Sequence, residues 1–325
     1  MKIKDMDWNY TDQVSIMENL YILMFYFITK QAVICFGEEG KQCIADACKE
    51  YGHYRGGLLA IEQESHGLER NVENFYGHYD LPRDPRTKQK YIHLDKHTAE
   101  EEFYACHFSN IWKWLDDIPL QECSPIGKIY CDNFHPAMWQ GYNTHMEMTL
   151  PKIIVQGDEK CSFITKWIDN PTQTISCPFQ DVKTLEWHYD DGLYVMNTIY
   201  SLLYFFLSRQ LIESFSDKGI NCTADALRTY GQYRGKLLAY IHEQTGHPIS
   251  EESFLKYFDY PAYIIKRDQT KSYPAMYSQH SKNIWMLLEK NYHCHYTQNP
   301  AVLYDTYMGQ YMWNGYLHYH SDDIR

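Results

Sequence analysis

The 325-residue chain has no run of basic residues, and its 30 Lys and Arg against 42 Asp and Glu leave a formal charge of −12. Affinity for a phosphate backbone comes mainly from clustered Lys and Arg, so nucleic acid is not an expected partner. Long apolar runs are also missing. Leu20–Ile28 and Ile199–Leu207 are nine residues each and bounded by polar positions, whereas a bilayer span takes about 20 residues. Both read as buried helix, and no membrane partner is expected. The N-terminus, MKIKDMDWNYTDQ, lacks the apolar segment and small-residue cleavage site of an export signal. The spacings Cys-x-x-Cys, His-Glu-x-x-His and Gly-x-Ser-x-Gly do not occur, nor does a glycine-rich phosphate loop. Signatures of zinc sites, serine hydrolysis and nucleotide cofactors are thus lacking, and no cofactor is expected. Ten cysteines without an export signal read as reduced thiols, which makes the cytoplasm the expected location.

What is present is a globular composition, 44% hydrophobic and 22% charged, with 30 tyrosines. Tyrosine joins apolar area to a hydroxyl and suits cores with polar pockets. The chain also repeats itself. Residues 7–82 align without a gap on 186–261, so that Trp8 falls on Trp187, Phe36 on Phe215, and Tyr51-Gly-His-Tyr-Arg-Gly56 on Tyr230-Gly-Gln-Tyr-Arg-Gly235. After a shortening of six residues, Asn110-Ile-Trp112 meets Asn283-Ile-Trp285 and Asp132 meets Asp305. One further inserted residue brings Trp139-Gln-Gly-Tyr142 onto Trp313-Asn-Gly-Tyr316. Solenoid repeats are only about 20–50 residues long, so this pattern reads as a duplicated domain. The expected division is a complete first unit (1–167), a linker (168–185) with Pro171 and Pro178, and a shortened second unit (186–325).

Each copy is expected to open with a helix (Val14–Cys35, Leu193–Ser214) and a second helix ending at Ser65 or Thr245, before Gly67 and Gly246. Thr98-x-x-Glu101 reads as a capping box starting a third helix that runs to about Asp116. Strands are expected at Lys128–Phe134, His145–Val155 and Lys160–Trp167, with turns at His135-Pro136 and Gly157-Asp158. Helices first and strands second indicate an α+β fold, with the two units packed as a pseudo-dimer.

Features held by only one copy are freer to be functional. Cys106 faces Gln279, Cys131 faces Tyr304, and Cys161 has no counterpart. Three thiols peculiar to the first unit suggest a nucleophilic site, since the thiolate is reactive when a cation or base lowers its pKa. His107 and Asp132 stand near them in sequence, although both recur, as His280 and Asp305. His135, in a turn beside Pro136 and without a matching histidine, reads either as an acid or base or, in preference, as a solvent-facing loop histidine. Arg55, between Tyr51 and Tyr54, either clamps a substrate carboxylate or pairs structurally. His293, His295, His318 and His320 are the weak metal candidates, and no metal site is assigned.

The stretch containing Tyr130-Cys131-Asp132, Trp139-Gln-Gly-Tyr142 and Gln156-Gly-Asp-Glu-Lys-Cys-Ser-Phe163 resembles the C-terminal signature of the L-2-amino-thiazoline-4-carboxylic acid hydrolase family. The resemblance implies ring-opening hydrolysis of a small cyclic amidine-like C–N bond, giving a carbamoyl amino acid. On that basis Cys161 or Cys131 is the expected nucleophile, within a catalytic set that includes Cys106. His107 would move the proton, Asp132 would orient, and Arg55, Tyr51 and Tyr54 would hold the substrate. Attack by water, activated by His107 or Asp132, is equally allowed. The alternatives are a non-catalytic small-molecule-binding or partner protein with an aromatic-lined pocket, and a biosynthetic enzyme closing such a ring. The expected partner is a small molecule, with self-association allowed.

Overall fold

The computed structural model describes residues 6–9, 13–171, 192–257, 279–294, 296 and 298–320; most of the expected linker lies outside these. The chain forms two compact units, one of Gln42–Val195 and one of Met1–Lys41 with Met196–Arg325.

Helix α1 (Gln13–Ser65) is broken at Gly37, where φ is 59° and ψ −131°. Its first arm belongs to the unit that also holds residues 196–325. There Phe36 stacks on Phe215 with ring centroids 3.7 Å apart, and Tyr230 OH donates to the Leu20 carbonyl at 3.2 Å. By length and composition alone, an 18-residue stretch of α1 could cross a membrane. Its Leu20, Ile22, Leu23, Met24, Phe25 and Ile28 are buried within the protein, as in any core helix.

Within Gln42–Val195, the second arm of α1 is followed by α2 (Val72–Gly77), β1 (Lys88–Leu94), β2 (Thr98–Ala105), α3 (His107–Leu115), α4 (Pro125–Tyr142), β3 (Met146–Lys152) and β4 (Cys161–Trp167). The strands make one antiparallel sheet in the order β1-β2-β4-β3. The expected face of Ala47, Tyr51, Tyr54 and Leu58 is buried, while Ile61 is only half-buried. This is an α+β arrangement, but its strands straddle α3 and α4.

Two expectations fail here. Residues 98–105 are strand. Asp95 accepts the backbone N–H groups of His97 and Thr98, both at 2.8 Å, and closes a turn between β1 and β2, so Glu101 caps nothing. Conversely, residues 128–134 lie in α4, whose Ser124 cap accepts the Gly127 N–H at 3.1 Å ahead of Pro125. Ile129-Tyr130-Cys131 is strand-like in composition. What wins is burial on two sides of a helix: Tyr130, Phe134, Met138 and Tyr142 step by four along one stripe, and Cys131, His135 and Trp139 along the next. Pro136 sits inside α4 instead of ending a strand.

The other unit contains α5 (Gly192–Phe215), α6 (Asp217–Gln244), α7 (Glu251–Tyr257), α8 (Gln279–Tyr292), α9 (Pro300–Leu303), a π-helical turn (Tyr304–Met308) and α10 (Gly309–Leu317). Its local geometry matches the first copy at the aligned positions. Ser216, aligned with Gly37, has φ 51° and ψ −128°. Asn71 Oδ1 caps the Asn74 N–H at 2.9 Å, and Ser250 Oγ caps the Ser253 N–H at 3.1 Å. Phe75 contacts Trp139 and Tyr142 at 4.5 and 5.0 Å, and Phe254 contacts Trp313 and Tyr316 at 4.7 and 5.1 Å. A Cβ on Gly56 would strike the Met138 carbonyl and Tyr142 nitrogen, and one on Gly235 the Met312 carbonyl and Tyr316 nitrogen. Among the described residues, all strands fall between Lys88 and Trp167.

Gly37 adopts its backbone conformation freely, whereas a side chain at the same angles is strained by about 1 kcal/mol or more. Ser216→Gly is therefore expected to stabilise the protein by about 1 kcal/mol, read as a raised denaturation midpoint in urea. An unchanged or lowered midpoint would contradict this.

Candidate functional site

Helix α4 presents Cys131, His135 and Trp139 at a four-residue interval, and the facing strand β4 presents Cys161, Phe163 and Thr165 at an interval of two. His135 lies 5.1 Å from the Phe163 ring and Trp139 lies 5.9 Å from it. Trp139 Nε1 donates to Tyr76 OH at 3.2 Å, and Tyr76 OH bonds Thr165 Oγ1 at 2.7 Å. On the same face of the sheet, Glu101 of β2 stands directly between Tyr91 of β1 and Phe163 of β4.

Glu101 is 4% exposed, and its Oε1 is buried without a hydrogen-bond partner. Burial pushes its carboxyl up to about 7; a hydrogen bond from Tyr91 and the charge of Arg83 only partly offset this. Tyr91 and Phe103, which border Glu101 on this face, are half-buried. Tyr79 joins Glu101 to the next group, since its hydroxyl feels the charges of Arg55, Asp80 and Glu101. Arg55 Nε and Nη2 each donate to Asp80 at 2.6 Å, and Nη1 donates to Tyr51 OH at 3.2 Å. The guanidinium lies over Phe134, 5.3 Å from the ring centroid. His135 Nδ1 is buried without a partner, and burial together with the Arg55 charge pulls the imidazole down to about 3, leaving it neutral. The carboxyl that titrates near neutrality and the neutral imidazole thus both border Phe163, while the Arg55 cation lies against Phe134 on the neighbouring stripe of α4.

The sequence-predicted residues divide. Cys131 and Cys161 are buried at 7% and 6% exposure, and the three thiols Cys106, Cys131 and Cys161 are close enough to feel one another's charge. Lys113 joins them; its ammonium donates to the carbonyls of Leu120 and Ile154. Burial nevertheless raises Cys131 well above the ordinary thiol value and Cys161 to about 12, against a hydrogen bond from the Ile154 N–H to Cys161 Sγ at 3.2 Å. Both are therefore thiols near neutral pH, not thiolates.

Asp132 is not part of this gathering. One residue along a helix turns the side chain by about 100°, so Asp132 is exposed and pairs with Lys128 at 2.7 Å. His107 opens α3, bonded through Nδ1 to Thr87 Oγ1 at 2.9 Å, and burial holds it neutral with a pKa near 3. Arg55 has its fork filled by Asp80 and reads as structural; removing one partner of such a pair typically costs about 3–5 kcal/mol. Tyr51 supports Arg55 and stacks on Phe134, with centroids 5.2 Å apart, while Tyr54 is buried on the same helix. The C-terminal His293, His318 and His320 are exposed at or beyond the ends of α8 and α10, and His295 lies outside the described residues.

Sequence reasoning missed Glu101 and preferred a solvent-facing loop for His135, which lies inside α4 and is not exposed. The signal for Glu101 was the alternation Ala99, Glu101, Phe103, masked by the capping-box spacing. His135 shares a helical stripe with Cys131 and Trp139, masked by Pro136.

Two predictions follow from these environments. A carboxyl raised from an unfolded value of 4.5 binds its proton more tightly when folded, so its contribution to stability falls as pH rises from 4.5 through 7. Glu101→Gln is expected to gain roughly 2–3 kcal/mol over wild type between pH 4.5 and 8 in paired denaturation curves; parallel curves would show an unperturbed Glu101. Second, a small thiol reagent at pH 7.5 should modify the exposed Cys35 and Cys123 first and leave Cys131 and Cys161 largely unmodified in mass-spectrometric mapping. Rapid modification of Cys161 would overturn its assignment as a neutral thiol.

Residues 16–165 match the sequence model of the family described as L-2-amino-thiazoline-4-carboxylic acid hydrolase. No curated protein and no solved structure matches the chain. The matched span ends at Thr165 and takes in α4, Glu101 and the facing β4 positions, so it is this segment, residues 16–165, that matches the L-2-amino-thiazoline-4-carboxylic acid hydrolase family.

Proposed function

We propose that the protein is a hydrolase that opens a small cyclic amidine-like heterocycle of the aminothiazoline-carboxylate type, with Glu101 as general base. The observation that carries the reading is a buried carboxyl with a pKa of about 7 and a free oxygen, set beside Tyr91 and Phe163, with a neutral histidine on the far side of Phe163. Such a carboxyl accepts and returns a proton at neutral pH with little driving force lost in either direction. Glu101 takes a proton from water as the hydroxide adds to the amidine carbon. The C=N electron pair moves onto nitrogen, which takes the hydroxyl proton as the carbonyl forms, and the tetrahedral carbon expels a ring heteroatom, which receives the proton held by Glu101. A carbamoyl product keeps both nitrogens on that carbon, so for aminothiazoline carboxylate the departing atom is sulfur, and the bond opened is C–S instead of the C–N bond first expected. Tyr91 steadies the carboxylate, and the flat rings of Phe163 and Trp139 suit a planar heterocycle. The raised thiol pKa values favour water over Cys131 or Cys161 as the attacking group.

We further propose that the chain is a tandem of related units, 1–167 and 186–325, and that catalysis belongs to the first. The matched caps, aromatic contacts and close helix crossings support the duplication. The carboxyl site draws on β2 and β4 of the first copy, which is also the copy that the family model matches. A reducing compartment such as the cytoplasm suits the nine described cysteines, all of which are unbridged.

The test is conversion of aminothiazoline carboxylate to the carbamoyl amino acid, followed by chromatography and mass spectrometry. Activity is expected to rise with pH through about 7. Glu101→Gln should lower kcat by about 10²-fold or more, while a Cys131→Ala, Cys161→Ala double variant stays within several-fold of wild type. The reverse ranking would return the nucleophile to cysteine.

A further inference from the structure

Solvent reaches toward Glu101 from one side of the sheet. Phe163 of β4 and Glu101 of β2 are buried, Tyr91 of β1 is half-buried, and Arg83, ahead of β1, is exposed. A turn between Arg83 and Lys88, closed by the Thr87 N–H on the Asp84 carbonyl at 3.0 Å, reverses the chain just before β1. Arg86 Nε and Nη2 pin that turn through the Asp84 carboxylate at 2.8 and 2.7 Å. From the near side of the turn, the Arg83 guanidinium donates to Tyr91 OH, the hydroxyl that bonds Glu101, and its charge acts on the Glu101 carboxyl. Arg83, Tyr91 and Glu101 thus form one hydrogen-bonded chain from the surface to the buried base.

A guanidinium presents its N–H donors as a planar fork that matches a carboxylate, and Tyr91 OH engages only part of it. We infer that Arg83 holds the carboxylate of the substrate at the solvent edge of the site, while the heterocycle reaches inward past Tyr91 to Glu101. This rests on the hydrolase reading above. In an aminothiazoline carboxylate only two ring atoms separate the carboxylate from the amidine carbon, so the anchoring cation has to stand next to the base. Arg83 does so. Arg55, the clamp considered from sequence, is buried with its fork on Asp80. An ionised Glu101 also repels an incoming carboxylate, and a cation at the entry offsets that repulsion. The substrate class narrows to small heterocycles that carry an anionic carboxylate on the ring.

Steady-state hydrolysis of aminothiazoline carboxylate and of its carboxamide, by wild type and by Arg83→Gln, tests this. In the variant, KM for the carboxylate is expected to rise about 10–100-fold with kcat within several-fold, and kcat/KM for the carboxamide to stay within about twofold. In unmodified protein, 2-aminothiazole-4-carboxylate, whose aromatic ring resists opening, should inhibit about 10-fold or more tightly than its carboxamide, a readout that does not depend on the variant folding. An unchanged KM for the carboxylate, equal losses on both substrates, or equal inhibition by acid and amide would overturn the anchor and leave the hydrolysis standing. Absence of wild-type turnover on either substrate would overturn the hydrolase reading, and the anchor with it.

Discussion

The arrangement of residues 42–195 depends on one close approach, the crossing of the second arm of α1 over α4. At Gly52, Gly56 and Gly141 backbone meets side chain or backbone with no room for a Cβ. Contact at that range fixes both the separation and the rotation of α4, because a helix this close cannot turn without clashing. With α4 held by its Tyr130–Tyr142 stripe, the adjacent Cys131–His135–Trp139 stripe must face the sheet. The Arg55–Asp80 pair reinforces the crossing from the α1 side, where Arg55 also lies over Phe134 of α4.

The chemistry follows from what the sheet returns to that stripe. Antiparallel pairing sets Glu101 beside Phe163, and the depth of the position, not a partner charge, lifts its carboxyl toward neutrality. The same desolvation acts in the opposite sense on His135 and again upward on the thiols, so one apolar environment produces a neutral imidazole, unreactive sulfur and a carboxyl able to exchange protons. Among these groups only the carboxyl titrates near pH 7.

Much of the fold was legible in the sequence, and the losses have identifiable causes. The α1 core face, the C-cap glycines Gly67 and Gly246 with φ of 78° and 73°, and the strands at 146–152 and 161–167 could be read because periodicity and capping agreed there. Residues 98–105 and 128–134 misled because local signals opposed the tertiary environment. A capping-box spacing occurred where Asp95 closes a hairpin, and β-prone residues occurred where a helix is buried on two sides. These same two segments carry Glu101 and His135. The thiols were found by comparing the two copies, but their pKa depends on burial, which the sequence does not display.

The most direct measurement is titration of the Glu101 carboxyl itself, by ¹³C NMR on protein labelled at glutamate Cδ, with the resonance assigned by its loss in Glu101→Gln. A transition near pH 7 is predicted. A transition below pH 5, in the ordinary glutamate range, would contradict the account.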